Sequence, residues 1–88
     1  MNRKKLTHIR NTKITEFKEG DRCKVTALDT SNAKKLHILL SMGILPGKYV
    51  NILQIFPSYI FQVGQTQYAV DIDIANAIYV KSEDNYIK

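Results

Sequence analysis

Short stretches in which polar and apolar residues alternate run through most of the chain and predict β-strands. The first is 22–28, where Cys23, Val25 and Ala27 fall on one face, as in a half-buried strand. Runs of β-branched and aromatic residues predict four more strands, at 48–56, 59–63, 67–70 and 78–81. Both faces of 48–56 are largely apolar, so this strand is expected to be central. Residues 71–77 are predicted to form a turn or a single 3₁₀ turn.

A helical period replaces the alternation between the first two strands. Its apolar stripe is predicted to contain Ala33, Leu36, Leu39 and Leu40. Gly43 suits a helix C-cap and Pro46 stops the helix from resuming, so one short amphipathic helix is predicted over 32–42. The fold is therefore mainly β, with about five strands and one helix inserted after the first strand. We expect the strands to close into a small barrel, because closure leaves no exposed sheet edge.

Basic residues are concentrated at the start of this 88-residue chain. Five of the 13 Lys and Arg residues and none of the eight acidic residues lie in 1–13, so the remaining eight bases and eight acids balance. We predict a basic flexible arm over 1–15, one folded domain over 16–82 and a polar tail over 83–88. A neutral domain argues against a nucleic-acid platform, whereas the arm is suited to contact RNA or an anionic membrane surface.

The chain is expected to be cytoplasmic and at most peripheral to a membrane. No apolar run approaches the roughly 18 to 20 residues of a membrane span, and no apolar segment follows the basic N-terminus as it would in a signal peptide. Cys23 is the only cysteine, so an internal disulfide is excluded, as is usual in the cytosol. Its place in the alternation predicts a buried core residue.

The sequence offers little for catalysis or metal binding. It contains no phosphate-binding loop of the G-x-x-x-x-G-K type and no Ser-His-Asp arrangement. The candidate metal ligands are scattered, without a spacing such as C-x-x-C or H-x-x-x-H: His8, Cys23, His37, Asp71 and Asp73. We therefore expect no catalytic residue, no metal ligand and no cofactor, and a protein that works by binding a partner.

Three segments between about 17 and 81 resemble the ferrous iron transport protein A (FeoA) family. They are the opening Phe17-Lys18-Glu19-Gly20, the segment Ser41-Met42-Gly43-Ile44-Leu45-Pro46-Gly47, and the closing Tyr68-Ala69-Val70-Asp71 with Ala75, Ile78 and Val80. The resemblance implies an SH3-like barrel, a domain that also resembles the C-terminal module of some iron-dependent repressors. The chain departs from the family in the short Pro57-Ser58 connection and in its acidic Asp71 and Asp73, where the family often has a basic residue.

The resemblance implies an accessory role in bacterial ferrous iron uptake. In this role the protein is a non-catalytic adaptor that binds and modulates the cytoplasmic GTPase domain of a GTP-driven ferrous iron permease in the membrane. Two alternatives stay open, a nucleic-acid-binding or repressor-like SH3-type module and a domain that senses metal directly.

An apolar patch beside the helix end, together with an aromatic strand residue, is predicted to bind the partner. It consists of Ile38, Met42, Ile44, Leu45 and Tyr59. If exposed, such a patch would also allow a weak homo-oligomer. The turn and cap residues that shape this region are predicted to be Gly20, Gly43, Pro46 and Gly47.

Overall fold

The alternating segments form strands of one antiparallel sheet. The computed structural model describes residues 12–82. The strands are β1 (Thr12–Lys13), β2 (Arg22–Leu28), β3 (Tyr49–Gln54), β4 (Tyr59–Val63), β5 (Thr66–Val70) and β6 (Ile78–Ser82). A 3₁₀ turn (Ile14–Glu16) follows β1, helix α1 (Ala33–Ser41) follows β2, and helix α2 (Ile72–Ala75) follows β5. The predicted mainly β architecture with a short helix is confirmed.

The strands lie side by side in the order β1-β6-β2-β3-β4-β5. Cys23 of β2 is opposite Val50 of β3 on one side and Ser82 of β6 on the other. A bulge between Val25 and Ala27 shifts the register of β2 against β6 and locally increases the twist of the strand. Strand β3 lies between β2 and β4, as predicted for a central strand.

The ends of this order are linked by short helical turns. Strands β1 and β5 are its two end strands, so in residues 12–82 the sheet is not closed by pairing these two strands. The 3₁₀ turn after β1 contacts α2, which follows β5. There Thr15 Oγ1 donates a hydrogen bond to Asn76 Oδ1 at 2.8 Å. The packing of these turns thus links the two ends of the sheet within the described residues.

One hydrophobic core joins almost every element. Its buried members are Ile14, Cys23, Val25, Leu39, Ile44, Val50, Ile52, Tyr59, Phe61, Val70, Ala75, Ala77, Ile78 and Val80. They come from the 3₁₀ turn, from five of the six strands, from both helices and from the loops that follow them. The core therefore depends on contacts between segments that are far apart in the sequence.

The folded region begins earlier than the predicted boundary at residue 16. Thr12 and Lys13 pair with Val80 and Tyr79 of β6, and Ile14 is fully buried. Residues 12–15 thus belong to the sheet and the core, and their assignment to the arm is wrong. The rest of the predicted arm, 1–11, and the predicted tail, 83–88, lie outside the described residues.

Helix α1 has a side-chain N-cap, and only part of its predicted apolar stripe faces the core. Asn32 Oδ1 accepts a hydrogen bond from the backbone N–H of Lys35 at 3.0 Å, which is an N-cap contact. Leu39 is fully buried, whereas Leu40 is 44% exposed and Ala33 is also exposed. Adjacent helical residues point about 100° apart, so a helix of nine residues that buries Leu39 leaves Leu40 outside.

Candidate partner-binding surface

The structure divides the five predicted partner-binding residues into exposed and buried groups. Ile38 and Leu45 are 40% and 37% exposed, and Met42 is half-buried. Ile44 is 0% exposed and Tyr59 is 7% exposed. The surface positions predicted for Ile44 and Tyr59 are therefore wrong.

The burial of Ile44 and Tyr59 has a local cause in each case. The backbone N–H of Ile44 donates to the carbonyl of Leu39 at 3.0 Å, so the chain folds back at the end of α1 and Ile44 enters the core. Tyr59 and Phe61 are two residues apart in β4 and therefore share a face. Their ring centroids are 5.6 Å apart at an interplanar angle of 52°, and that face is the core face.

Two glycines shape the connection between α1 and β3. Gly43 and Gly47 have φ values of +79° and +94°, a region that L side chains rarely adopt. Gly47 N–H donates to Val25 O, and Val25 N–H donates to Lys48 O, both at 2.8 Å. These two hydrogen bonds hold the turn after Pro46 against β2 and thereby fix where β3 begins.

An open groove of about 490 Å³ lies where the end of α1 meets the outer side of the sheet. It is lined by Arg22, Met42, Gly43, Lys48, Tyr49, Asn51, Val63 and Gly64, and we call it the basic groove. A Cβ atom on Gly43 would lie 3.9 Å from Val63 Cγ1, so the backbone of Gly43 forms part of the wall beside Val63. Of the five predicted partner residues, Met42 lines this groove.

Two cations meet one aromatic ring at the edge of the basic groove. Arg22 Cζ lies 4.5 Å from the centroid of the Tyr49 ring, and Lys24 Nζ lies 5.8 Å from it. Both distances are within the range of cation–π attraction. Lys24 is directly opposite Tyr49 on one side and Lys81 on the other, so these three side chains form one row across β3, β2 and β6.

The positive charge of this surface is not neutralised within the described part of the chain. Among residues 12–82, no acidic side chain lines the basic groove. Within residues 12–82, none of the four cations on and beside it forms an ion pair: Arg22, Lys24, Lys48 and Lys81. The two acids that precede Arg22 in the sequence accept hydrogen bonds from the backbone: Asp21 Oδ2 accepts from Lys18 N–H at 2.9 Å and Glu19 Oε2 from Ile55 N–H at 3.1 Å.

A second groove, of about 410 Å³, lies at the opposite end of β3 and is mainly apolar. It is lined by Ile55, Phe56, Pro57, Ser58, Tyr59, Val70, Asp71 and Ile72. Phe56 is 82% exposed and Ile72 is 58% exposed. The sequence pattern predicts a strand that includes Phe56, but β3 ends at Gln54. The signal that could have shown this is Pro57, because the residue before a proline is restricted and often ends an element.

The candidate metal ligands do not come together in the described residues. Residues 12–82 contain no group of three or more His, Cys, Asp or Glu side chains that could hold a metal ion. Cys23 is fully buried in the core, while His37, Asp71 and Asp73 are exposed. His8 lies outside the described residues.

Within residues 12–82, no helix is both long enough and apolar enough to cross a membrane.

A family model for the FeoA domain matches residues 12–82, which is the whole described region. The chain belongs to the FeoA domain family. The resemblance predicted from the sequence is thereby confirmed. Membership of this family implies involvement in ferrous iron transport. A comparison with curated proteins gives no match.

Solved structures show the same fold at low sequence identity. The crystal structure of an iron uptake regulatory protein, FeoA, is 23% identical, with a TM-score of 0.74 over 84% of this chain and 99% of that one. A FeoA-like protein from Clostridium acetobutylicum is 16% identical, with a TM-score of 0.78 over 91% and 95%. IdeR from T. acidophilum is 23% identical, with a TM-score of 0.79 over 85% of this chain but only 35% of its own.

Proposed function

We propose that this protein is a non-catalytic adaptor of ferrous iron uptake, which binds the cytoplasmic GTPase domain of a ferrous iron permease and modulates it. The observation that carries the proposal is the FeoA family match, because it spans every described strand and helix. In this proposal the protein works in the cytoplasm, and the permease provides both the membrane channel and the GTPase activity.

The described surface is suited to binding another protein. It carries an apolar groove with a protruding phenylalanine and, elsewhere, a groove with unpaired cations and an aromatic ring. Protein interfaces are enriched in aromatic residues and arginine. A partner protein could cover the exposed apolar groove and supply acidic groups to the cations of the basic groove.

A binding assay with the permease domain tests the adaptor proposal. The full chain and a form lacking residues 1–11 are immobilised, and the soluble cytoplasmic domain of the host's ferrous iron permease is passed over them at low and high salt. We keep residues 12–15 because Ile14 belongs to the core. We expect both forms to bind, and we expect the rate of GTP hydrolysis by the permease domain to change on binding.

Two outcomes would count against the adaptor role. Absence of binding at both the low and the high salt concentration would refute the adaptor role. Binding that disappears when residues 1–11 are removed would place the contact outside the domain and contradict the proposal that the domain itself docks. Bovine serum albumin passed over the same immobilised chains controls for nonspecific attraction to the basic chain.

A further inference from the structure

We propose that the basic groove is a binding site for an acidic peptide segment of a partner protein, with its carboxylates on the cations and an apolar side chain against Met42 and Val63. The inference rests on the proposed function for the identity of the partner, which would be the permease domain. The chemistry of the ligand is inferred from the groove alone.

The arrangement of cations across the sheet is the first reason. Lys24 and Lys81 are directly opposite each other on neighbouring strands, and like charges in such a pair destabilise a sheet. Arg22 and Lys48 line the groove close by, and within residues 12–82 none of these four side chains forms an ion pair. A ligand with carboxylates would supply the missing counter-charges and remove the repulsion.

The geometry around Arg22 is the second reason. Its guanidinium is held 4.5 Å from the centroid of the Tyr49 ring, and packing on a ring leaves the edge of the guanidinium available. Arginine presents its donors in a planar fork that matches the two oxygens of a carboxylate. Tyr49 therefore positions Arg22 for an acidic side chain while forming part of the groove wall itself.

The remaining lining residues favour a peptide over a nucleic acid. Surfaces that bind single-stranded nucleic acids usually offer several aromatic rings to successive bases, whereas within the described part of the chain Tyr49 is the single aromatic residue in the lining of this groove. Met42 and Val63 add an apolar wall, and a groove of about 490 Å³ accommodates a few side chains. A short segment that mixes acidic and apolar residues fits both parts of this lining.

The test is an NMR titration of the full chain with a defined probe. The probe is the capped peptide Glu-Leu-Glu-Asp-Leu-Glu, and its control has Gln and Asn in place of Glu and Asp. We expect amide shifts to cluster at Arg22, Tyr49, Val63 and Gly64 with the acidic peptide and to be absent with the control. Raising the salt from about 0.1 M to about 1 M shortens the screening length from about 10 Å to about 3 Å, and it should abolish the shifts.

Paired variants separate the site from the overall charge. Arg22→Gln with Lys48→Gln removes two groove cations, and Lys13→Gln with Lys34→Gln removes two exposed cations that do not line the groove. We expect the first pair to weaken binding of the acidic peptide by about fivefold to tenfold, as for two solvent-exposed charge contacts, and the second pair to change it by less than about twofold. Well-dispersed amide spectra confirm that each variant is folded.

Three results would overturn the inference. They are equal affinity of the two peptides, equal weakening by the two pairs of variants, and tighter binding of a deoxythymidine oligomer than of the acidic peptide at the same salt. The permease assay separates this inference from the adaptor proposal. If the permease domain binds the Arg22→Gln, Lys48→Gln variant as well as the unchanged chain, the permease is not the partner that occupies this groove, and the adaptor role stands. If the acidic peptide binds but the permease domain does not, the adaptor role fails and the site stands.

Discussion

Asp29 stabilises the short connection between β2 and α1 through a single carboxylate oxygen. Its Oδ1 accepts hydrogen bonds from the backbone N–H of Ser31 at 2.9 Å and from the hydroxyl of Ser31 at 2.7 Å. Both bonds favour the ionised carboxylate. They are the largest causes that hold the pKa of Asp29 below its ordinary value of 3.8, and the positive charge of Lys35 adds to them.

The lowered pKa of Asp29 has a defined consequence at acidic pH. Because the folded chain has the lower pKa, the stabilisation is complete above the unfolded pKa and is lost as the pH falls through the folded pKa. We expect an NMR titration of the Asp29 carboxyl carbon to give a midpoint below 3.8. Ser31→Ala should raise this midpoint, since it removes the hydroxyl donor, and Ser58→Ala at a distant exposed turn should not. A midpoint at or above 3.8 in the unchanged chain would contradict the hydrogen-bonding pattern.

At the scale of elements, the sequence predicts the strands and the helix whose polar and apolar residues follow a regular period. It does not predict an element that depends on a neighbour distant in the sequence. Strands β2 to β6 and helix α1 each carry enough residues to show a period of their own. Strand β1 has two residues, too few for any alternation, and it is a strand because Val80 and Tyr79 of β6 pair with it. A local pattern cannot reveal an element that a remote strand creates.

The candidate site was only partly predictable for the same reason. Met42 was found because it follows an amphipathic helix. Arg22, Lys24 and Lys48 cannot be singled out from the sequence, because a charged residue in a predicted strand usually faces solvent without a role. Only the register of β2 with β3 and β6 brings Lys24 beside Tyr49 and Lys81, and no local feature of the sequence fixes that register.

Ile14 tests whether the first short elements are part of the stable fold. Its side chain is fully buried, so Ile14→Ala leaves a cavity and should lower the free energy of unfolding by about 2 to 5 kcal/mol. Lys13→Ala, at the neighbouring exposed position, should change it by less than about 0.5 kcal/mol. Urea unfolding followed by circular dichroism measures both. Equal stability of the two variants would show that residues 12–15 are not part of the cooperative fold.

At the scale of the whole molecule, the single core predicts a single unfolding transition. The buried residues of the sheet, the helices and the 3₁₀ turn form one cluster, so no part of the domain can lose its packing without exposing the others. Small domains with one core usually unfold in an all-or-none manner. The chain contains five tyrosines and no tryptophan, which makes tyrosine fluorescence the natural optical probe of its packing.

A probe of secondary structure and a probe of side-chain packing should therefore report the same unfolding transition. Far-UV circular dichroism follows the sheet, and tyrosine fluorescence includes the buried Tyr59. We expect their urea midpoints and slopes to coincide within error. A fluorescence change that precedes the loss of the sheet would show that the β4 region loosens separately. The Phe61→Leu variant, which alters the packing of Tyr59, should lower both midpoints together.

The antiparallel pairing of β1 with β6 has a further consequence for how the domain can be connected. Thr12 is opposite Val80, and β6 ends at Ser82, so the described chain enters and leaves the fold at one edge of the sheet. A short linker could join these two points, and new ends could be opened at an exposed turn such as Gly64-Gln65 with the order of strands in space unchanged. The fold is thus a natural candidate for circular permutation, and a domain with adjacent ends can be inserted into a longer polypeptide with little disturbance to its host.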